Sequence, residues 1–463
     1  AALAAMLMSV AAFAQVTTSA LGGRVVDANG EPVVGVAVIA THTPSGTVYG
    51  VTTNEAGRYT INGMRSGGPY SVEFTCLGYQ TVTYTDLTLQ LAETSSLNAT
   101  LNEDSEMLSE AMVIGAAASK FSAEKTGAAT NISSAQITSL PTVNRSITDV
   151  TRLSPYGGNG MSFAGSDGRT ANFTVDGANF NNNFGLSENL PGGGNPISID
   201  AIEELQVVIS PYDVRQTNFI GGGVNAITKS GTNTFKGTAY VYHRNENMRG
   251  NQVAGTEISG ARDRDRNTTY GFTLGGPIIK NKLFFFVNAE YSQTPSVAVR
   301  WRASENGVGN ADKYLSYTTV ADMERVQKHV MDKYGYDTGS FTDFPADQNN
   351  LKLLARLDWN INDNHRLALR YNYTNNTGWN APNSSSMDGG TRSAYGRTSL
   401  YSMAFANSMY SMNNLVHTVS LDLNSRIGDN LSNQFLATFS KLDDVRGTNS
   451  SEFPFIDIQD GTN

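Results

Sequence analysis

Residues 350–374 have the sequence NLKLLARLDWNINDNHRLALRYNYT, and this stretch decides the fold class of the chain. In its first half the odd-numbered positions are apolar: Leu351, Leu353, Ala355, Leu357 and Trp359. The even-numbered positions are mostly charged: Lys352, Leu354, Arg356 and Asp358. After a short polar link the alternation returns from Leu367 to Tyr373. A period of two, with one apolar face and one charged face, predicts two long β-strands joined by a tight turn.

The same pattern recurs around this stretch and predicts seven long strands in all, with approximate bounds 235–243, 269–279, 283–292, 350–361, 365–374, 414–427 and 431–441. A soluble sandwich also shows alternation, so the connections must decide between the two classes. Short links alternate with long polar stretches; the links are 280–282, 362–364 and 428–430, and the long stretches are 244–268, 293–349 and 375–413. Short periplasmic turns that alternate with long external loops are typical of outer-membrane β-barrels. The charged face is then expected to line a wet lumen.

The strands predicted in residues 231–463 form only part of a barrel. Plugged transporters use about 22 strands, so the strands predicted here are too few to close around a plug. An open edge in hydrocarbon would leave backbone N–H and C=O groups without partners. We therefore expect this region to be the first part of a longer transmembrane antiparallel β-barrel, truncated in this sequence.

The N-terminal residues 1–14, AALAAMLMSVAAFA, are almost wholly apolar and end in Ala12-Phe13-Ala14. A small-x-small ending after an apolar run predicts a signal peptide, which is partial because it lacks an initiator Met and a basic region. A buried helix is the alternative. The chain turns polar directly after this run, which favours the signal peptide.

Residues 15–102 predict a small β-sandwich. Apolar residues alternate with polar ones along two stretches: Tyr70, Val72, Phe74 and Cys76, and Val34, Val36 and Val38. Cys76, the only cysteine, is expected to pack in the core. The runs GRVVDANGEPVVGVAV at 23–38 and TTNEAGRYTI at 52–61 resemble the carboxypeptidase regulatory-like domain. That domain is non-catalytic in its family, so the resemblance implies no peptidase.

Residues 126–230 combine helical and strand signals with many Gly and Asn residues. Three runs in this region resemble the plug of TonB-dependent receptors: TSLPTVNRSITDVTRLSPY at 138–156, NFTVDGANFNN at 172–182, and DAIEELQVVISPYDVRQTNFIGGGVNAITKSGTN at 200–233. The last run, together with GGPIIKNKLFFFVNAEY at 275–291, is similar to the Oar-like subgroup. The resemblance implies a mixed α/β plug that blocks the barrel.

Residues 103–125 link the sandwich to the plug and contain one short apolar run. We call this run the coupling segment; it consists of Ala111, Met112, Val113, Ile114 and Gly115. The resemblance implies a TonB-box-like segment at this place, where a TonB-type energising protein of the periplasm would bind. The segment could pair with one of its neighbouring domains, or it could add as a strand to a partner sheet.

Asn, Phe and Gly residues crowd the stretch 172–195. Amide groups and aromatic faces can hold a ligand, so we name six residues as candidate ligand contacts: Asn179, Phe180, Asn181, Asn182, Asn183 and Phe184. The alternative is an irregular loop that satisfies its own backbone groups.

Catalytic and cofactor motifs do not occur in the sequence. It lacks HExxH, GxSxG and Walker patterns, and no His lies at metal-ligand spacing. The formal charge of -9 gives no support for a nucleic-acid partner. Val320, Met323, Val326 and Val330 recur at helical spacing and predict a small helix at about 320–334 on an external loop. We therefore expect no enzyme, no metal site and no cofactor.

The function implied by the resemblance is energised uptake of an external ligand across the outer membrane. The ligand class stays open among peptide, glycan and metal chelate. A surface lipoprotein is a further partner that the family allows. The alternative is a structural or adhesive surface protein that uses the same barrel without transport. A working coupling segment would distinguish the two.

Overall fold

The computed structural model describes residues 16–103, 112–115, 128–140, 142, 145–181, 190–191, 194–210, 216, 219–257, 265–295, 297–381, 397–428 and 431–458, with the backbone alone at 112–115 and 253. The predicted signal peptide, Ala111, and the candidate ligand contacts Asn182, Asn183 and Phe184 lie outside the described residues.

The N-terminal unit, which we call the sandwich, packs two sheets around an apolar core. Its strands are β1 (Ser19–Asp27), β2 (Ala37–His42), β3 (Thr47–Thr52), β4 (Arg58–Met64), β5 (Gly67–Thr75), β6 (Val82–Leu89), β7 (Thr94–Ser96) and β8 (Ala99–Leu101). One sheet has the order β4-β1-β7, with β8 also on β1; the other begins β3-β2-β5-β6. Tyr70, Val72 and Phe74 are fully buried, as the alternation predicts.

The prediction for Val34 is wrong. Val36 and Val38 are buried, whereas Val34 is exposed and Val33 takes its place in the core. The physical reason is a turn before β2, where Gly35 has a φ of 76° and breaks the period of two.

The second unit, the plug, is built on a five-stranded mixed sheet of order β10-β13-β14-β11-β12. Its strands are β10 (Ala128–Ser133), β11 (Asn172–Val175), β12 (Ala178–Asn179), β13 (Ile202–Ser210) and β14 (Gly223–Thr228). Two short helices, α1 (Ser134–Ser139) and α2 (Ile147–Thr151), begin with capping boxes at Ser133 and Ser146. Between β8 and β10 lies the short strand β9 (Met112–Gly115).

The third unit, the barrel sheet, is a meander of seven antiparallel strands in chain order. They are β15 (Lys236–Arg244), β18 (Asn267–Ile279), β19 (Leu283–Gln293), β22 (Asn349–Asn360), β23 (His365–Asn380), β24 (Tyr410–Ile427) and β25 (Leu431–Gly447). The predicted strand order and the alternation of short and long connections are confirmed. The barrel is not closed by these strands.

The long connections contain small elements of their own: β16 (Gln252–Val253), β17 (Thr256–Glu257), β20 (Arg302–Ser304), β21 (Leu315–Thr319) and α3 (Val320–Tyr334). The last of these confirms the helix predicted on an external loop. Thr319 caps its first turn, and Gly335 ends it with a φ of 64°. Among the helices in the described part of the chain, none is long and apolar enough to cross a membrane.

The two faces of the barrel sheet differ in what they contact. Along β22 the apolar residues Leu353, Leu357 and Trp359 point outward and are exposed. The even-numbered residues point inward and are buried: Lys352, Leu354, Arg356 and Asp358. Leu354 belongs to the same apolar cluster as the plug core. The inner face was expected to line a wet lumen, but at these residues it is covered by the plug.

Candidate functional site

A buried carboxylate at the tip of the plug lies against the barrel sheet. Asp176 occupies the turn between β11 and β12, where its φ of 51° and that of Gly177, 79°, reverse the chain direction. The Asp176 side chain is fully buried. Its Oδ1 accepts a hydrogen bond from the Thr228 N–H at 3.0 Å, and its Oδ2 accepts one from the Thr228 hydroxyl at 2.7 Å. The plug itself therefore fixes the direction of this carboxylate.

Two arginines of the barrel sheet meet Asp176. Arg356 of β22 and Arg370 of β23 are direct cross-strand partners. Arg356 Nη1 lies 3.9 Å from Asp176 Oδ1, and Arg370 Nε lies 3.4 Å from the same oxygen. Arg356 also donates to the Thr228 carbonyl at 2.5 Å. The barrel wall thus holds the plug at both the carboxylate and the backbone of β14.

Three further charges complete what we call the ion network. Asp358 pairs with Arg356 at 2.8 Å, and Asp422 of β24 lies 3.6 Å from Arg370. Arg65 of the sandwich lies 3.5 Å from Asp358. The network therefore contains three guanidinium groups, from Arg65, Arg356 and Arg370, and three carboxylates, from Asp176, Asp358 and Asp422. Charges taken out of water require such compensation, because each of them loses its hydration.

A small cavity of about 130 Å³ lies between the plug and the barrel sheet, beside the long-loop ends of the strands. Amide and hydroxyl side chains dominate its wall: Asn195, Asn267, Thr269, Ser292, Thr294, Gln348, Asn349, Asn350 and Asn376. The charged groups in the wall are already paired: Lys352 with Glu290 at 2.8 Å, and Arg145 with Asp200. We call this cavity the amide pocket. It can donate and accept hydrogen bonds without presenting a net charge.

Three of the candidate ligand contacts lie in the described part of the plug. Phe180 is fully buried and packs edge-on against Phe173, with ring centroids 6.3 Å apart. The Asn181 side chain accepts from the Phe173 N–H at 2.6 Å and donates to Asn172 at 2.5 Å. Asn179 accepts from the Asn181 N–H at 2.7 Å. These groups stabilise the plug itself, as the alternative interpretation expected, and their contact with a ligand stays a prediction.

The residues of the amide pocket were missed by the sequence analysis. They lie on four strands and in two connections, and Asn, Gln, Thr and Ser residues there form no recognisable motif. One feature of the sequence could have indicated this pocket, namely the repeated Asn at the outer ends of predicted strands, such as Asn349, Asn350 and Asn376.

The coupling segment forms an edge strand on the sandwich. Its described part, β9, pairs in parallel with β6, with Met112 opposite Val82 and Gly115 opposite Thr85. It extends the second sheet to the order β3-β2-β5-β6-β9. One of the two predicted possibilities, pairing with a neighbouring domain, is thus present in this structure. The outer edge of β9 has no strand partner among the described residues.

Among the described residues, no group of three His, Cys, Asp or Glu side chains is placed to hold a metal ion.

Comparisons with known proteins place two parts of the chain. Residues 20–102 match the carboxypeptidase regulatory-like domain, and residues 227–301 match an outer membrane beta barrel domain. The TonB-dependent transporter Oar of Myxococcus xanthus is 27% identical over 395 residues, which cover 80% of this chain and 34% of Oar. The chain thus spans about a third of the length of that curated relative.

Solved structures that the chain resembles include a siderophore receptor and an outer membrane transporter. The siderophore receptor PirA from Acinetobacter baumannii has 17% identity and a TM-score of 0.43, over 68% of this chain and 40% of PirA. The transporter YddB from Escherichia coli has 12% identity and a TM-score of 0.46, over 70% of this chain and 40% of YddB. The resemblance seen in the sequence is confirmed by the domain matches and by Oar. The chain is a homologue of the TonB-dependent transporter Oar; it is itself an outer-membrane β-barrel protein and contains a carboxypeptidase regulatory-like domain.

Proposed function

We propose that this protein takes up an external ligand across the outer membrane, driven by a TonB-type protein that pulls on the coupling segment. The observation that carries the proposal is the ion network, by which the plug is held against the barrel wall through Asp176. A plug held by a few paired charges can block the barrel and still be released by a directed force. The proposal assigns the protein no catalytic activity.

The same proposal divides the chain into the regions predicted from the sequence. The sandwich comprises residues 15–102, and the linker with the coupling segment comprises 103–125. The plug comprises residues 126–230, and the first part of the barrel comprises 231–463. The contacts that Asn360 and Arg366 make with the sandwich lie at the short-turn end of the barrel sheet, which is periplasmic in outer-membrane barrels. A periplasmic partner would therefore find the sandwich and β9 on its own side.

The amide pocket favours one kind of ligand. Its charged groups are paired with each other, so a highly charged metal chelate gains little from them. Amide and hydroxyl groups instead match the donors and acceptors of a peptide or a glycan. We therefore rank peptide and glycan ligands above metal chelates. A surface lipoprotein partner stays a prediction.

The test of this function is proline at Val113. An added strand needs the backbone N–H groups of the segment, and proline removes one donor and fixes φ. We expect Val113→Pro to abolish energised accumulation and leave cold binding to the cell surface intact. Three probes should be compared: fluorescein-labelled oligopeptides, fluorescein-labelled oligosaccharides, and a radioiron-loaded catecholate chelate.

Val113→Ala is the matched control, because it shortens the same side chain and keeps the backbone donor. It should accumulate the probes as the wild type does. If Val113→Pro also accumulates them, the coupling segment lies elsewhere. If the wild type and a deletion strain accumulate all three probes equally, the structural or adhesive alternative is favoured.

A further inference from the structure

The sandwich is docked on the short turns of the barrel sheet through its edge strand β3. Arg366 donates to the Val48 carbonyl at 2.6 Å, and its guanidinium lies 3.8 Å from the centre of the Tyr49 ring. Arg426 donates to the Gly50 carbonyl. The carbonyl groups of a free strand edge are thus capped by cations of the barrel sheet, which is a specific contact between two units.

A second set of contacts carries the sandwich into the ion network. Arg65 follows β4 and donates to Ser230 at 2.8 Å while it lies 3.5 Å from Asp358. Thr17, just before β1, donates to Asp422 at 2.6 Å. Without Arg65, the network would hold two cations and three carboxylates in a buried place. An uncompensated buried charge is strongly unfavourable. Docking of the sandwich therefore stabilises the contact between plug and barrel.

A third contact joins the sandwich to the plug. The Leu91 N–H donates to both carboxylate oxygens of Glu204 at 3.0 Å, and the Leu91 carbonyl accepts from Gln206 at 2.8 Å and from Asn131 at 3.0 Å. Leu91 and Glu204 are both buried. One short loop after β6 is thereby clamped by two strands of the plug.

We propose that the sandwich is a latch on the plug, and that energised release begins with its undocking from the barrel turns. This inference rests on the proposed function. The coupling segment is paired with β6, so a pull on β9 acts on the sandwich first. Undocking removes Arg65 from Asp358 and Leu91 from Glu204. The ion network then carries an excess negative charge, and the plug is held less firmly.

The latch can be tested without knowledge of the ligand. Thr47 is 3% exposed and its hydroxyl accepts from Asn360 at 3.0 Å across the docking surface. In a Cys76→Ser background, Thr47→Cys should react with N-ethylmaleimide about tenfold faster in energised cells than in uncoupler-treated cells, which corresponds to about 1.4 kcal/mol of docking free energy. Adding Val113→Pro should remove this difference. Equal rates in energised and uncoupled cells would overturn the latch.

Arg65→Gln tests the charge argument separately. It should speed labelling at Thr47→Cys in uncoupled cells, because docking loses its ion pair. Arg58→Gln is the matched control, since Arg58 begins strand β4, which Arg65 follows, is exposed, and makes no ion pair with the barrel sheet among the described contacts. An unchanged rate in Arg65→Gln would contradict the proposed part of Arg65.

A disulfide can hold the latch closed. A Cβ atom built on Gly63 lies 3.8 Å from the Cβ of Asn424, which is close to the usual spacing in disulfides of about 3.8 Å. Gly63→Cys with Asn424→Cys, in the Cys76→Ser background, should form a bond between sandwich and barrel. Since Gly63 has a φ of 68°, the reduced double variant is the control for any strain that the new side chain introduces.

The oxidised Gly63–Asn424 lock should lose accumulation of the probe that the wild type takes up, by at least about tenfold, and regain it in dithiothreitol. The single-cysteine variants should be unaffected by either treatment. Full accumulation by the cross-linked protein would overturn the latch while the proposed uptake stands. A wild type that accumulates none of the three probes would count against the proposed uptake, and the labelling rates would still decide the latch.

Discussion

The sandwich and the barrel sheet follow the same period of two, yet they bury opposite kinds of side chain. On β5 of the sandwich, Tyr70, Val72 and Phe74 are buried, and the residue between them, Glu73, is exposed. On β22 of the barrel sheet, Arg356 and Asp358 are buried, and Leu357 is exposed. Alternation therefore predicts a strand, but it does not tell which face is inside. Whether water or lipid surrounds the outer face determines which side chains are buried. In the sequence, the loop lengths and the charged residues indicated which of the two it is.

The largest expected effect comes from removing one cation of the buried barrel face. Arg356→Ala would leave Asp176 and Asp358 without their shared guanidinium. Breaking a buried pair in this way costs about 3–5 kcal/mol. We expect the intact protein, folded in detergent micelles, to unfold at clearly lower urea concentration and temperature.

The matched control is Lys441→Ala. Lys441 also forms an ion pair on the barrel sheet, with Asp443 at 2.7 Å, but the Lys441 side chain is largely exposed and that of Asp443 is partly exposed. Exposed pairs contribute about 0–1 kcal/mol. Equal losses in the two variants would mean that the inner face is solvated, and the contrast between the two sheets would then fail.

The ion network shows where prediction from sequence stopped. The strands, their order and the long external loops could be predicted, because alternation and turn residues are local signals. The meeting of Asp176 with Arg356 and Arg370 could not, since Asp176 lies in the plug, far from both arginines in the chain. Charges on the inner face fitted a wet lumen equally well. Only the packed plug shows that they are partners.

The candidate site residues divide in the same physical way. The short apolar run at Met112–Gly115 is a local pattern, and it does form a strand. Its partner β6 was not predicted, because pairing of a short segment depends on which edge is free nearby. Phe180 was named for its aromatic face, but its ring is buried and packs edge-on against Phe173 in the core. Composition indicates which groups are present, whereas packing determines which of them remain accessible.

A smaller loss of stability is expected when an Arg is placed on the outer face of the barrel sheet, and almost none when it is placed on the outer face of the sandwich. Ile39 on the sandwich and Leu357 on the barrel sheet are 39% and 42% exposed, so burial alone does not distinguish them. Leu357→Arg places a charge on the lipid face, at a cost of about 2 kcal/mol for a position between midplane and interface. Ile39→Arg places the same charge in water opposite Glu73, its cross-strand neighbour, and should change stability by less than about 0.5 kcal/mol.

The measurement for this pair is the unfolding free energy of the intact protein in lipid vesicles. In detergent-free water, the isolated residues 16–103 with Ile39→Arg should remain soluble and folded. A similar loss in both variants would show that the outer face of the barrel sheet is not in contact with lipid.

The smallest effect concerns pH and is confined to the sandwich. His42 is buried, and its Nδ1 lies 2.7 Å from the Ser45 hydroxyl. Burial, together with the Arg65 cation, lowers the pKa of the His42 imidazole from 6.5 to about 3. The folded sandwich therefore keeps His42 neutral while the unfolded chain takes up a proton below pH 6.5. Stability contributed by the neutral ring is present above pH 6.5 and is lost as pH falls toward 3.

The isolated residues 16–103 should show this dependence, because they have their own apolar core and we expect them to unfold cooperatively. At pH 5.5 the fragment should have lost about 1.4 kcal/mol relative to pH 7.5, by linkage of proton binding to unfolding. The buried charges on the inner face of the barrel sheet differ from His42, because each of them is paired with an opposite charge. His42→Gln provides the control, since an amide can still bond to Ser45 and does not titrate. If the pH dependence of the wild type persists in His42→Gln, another group is responsible for it.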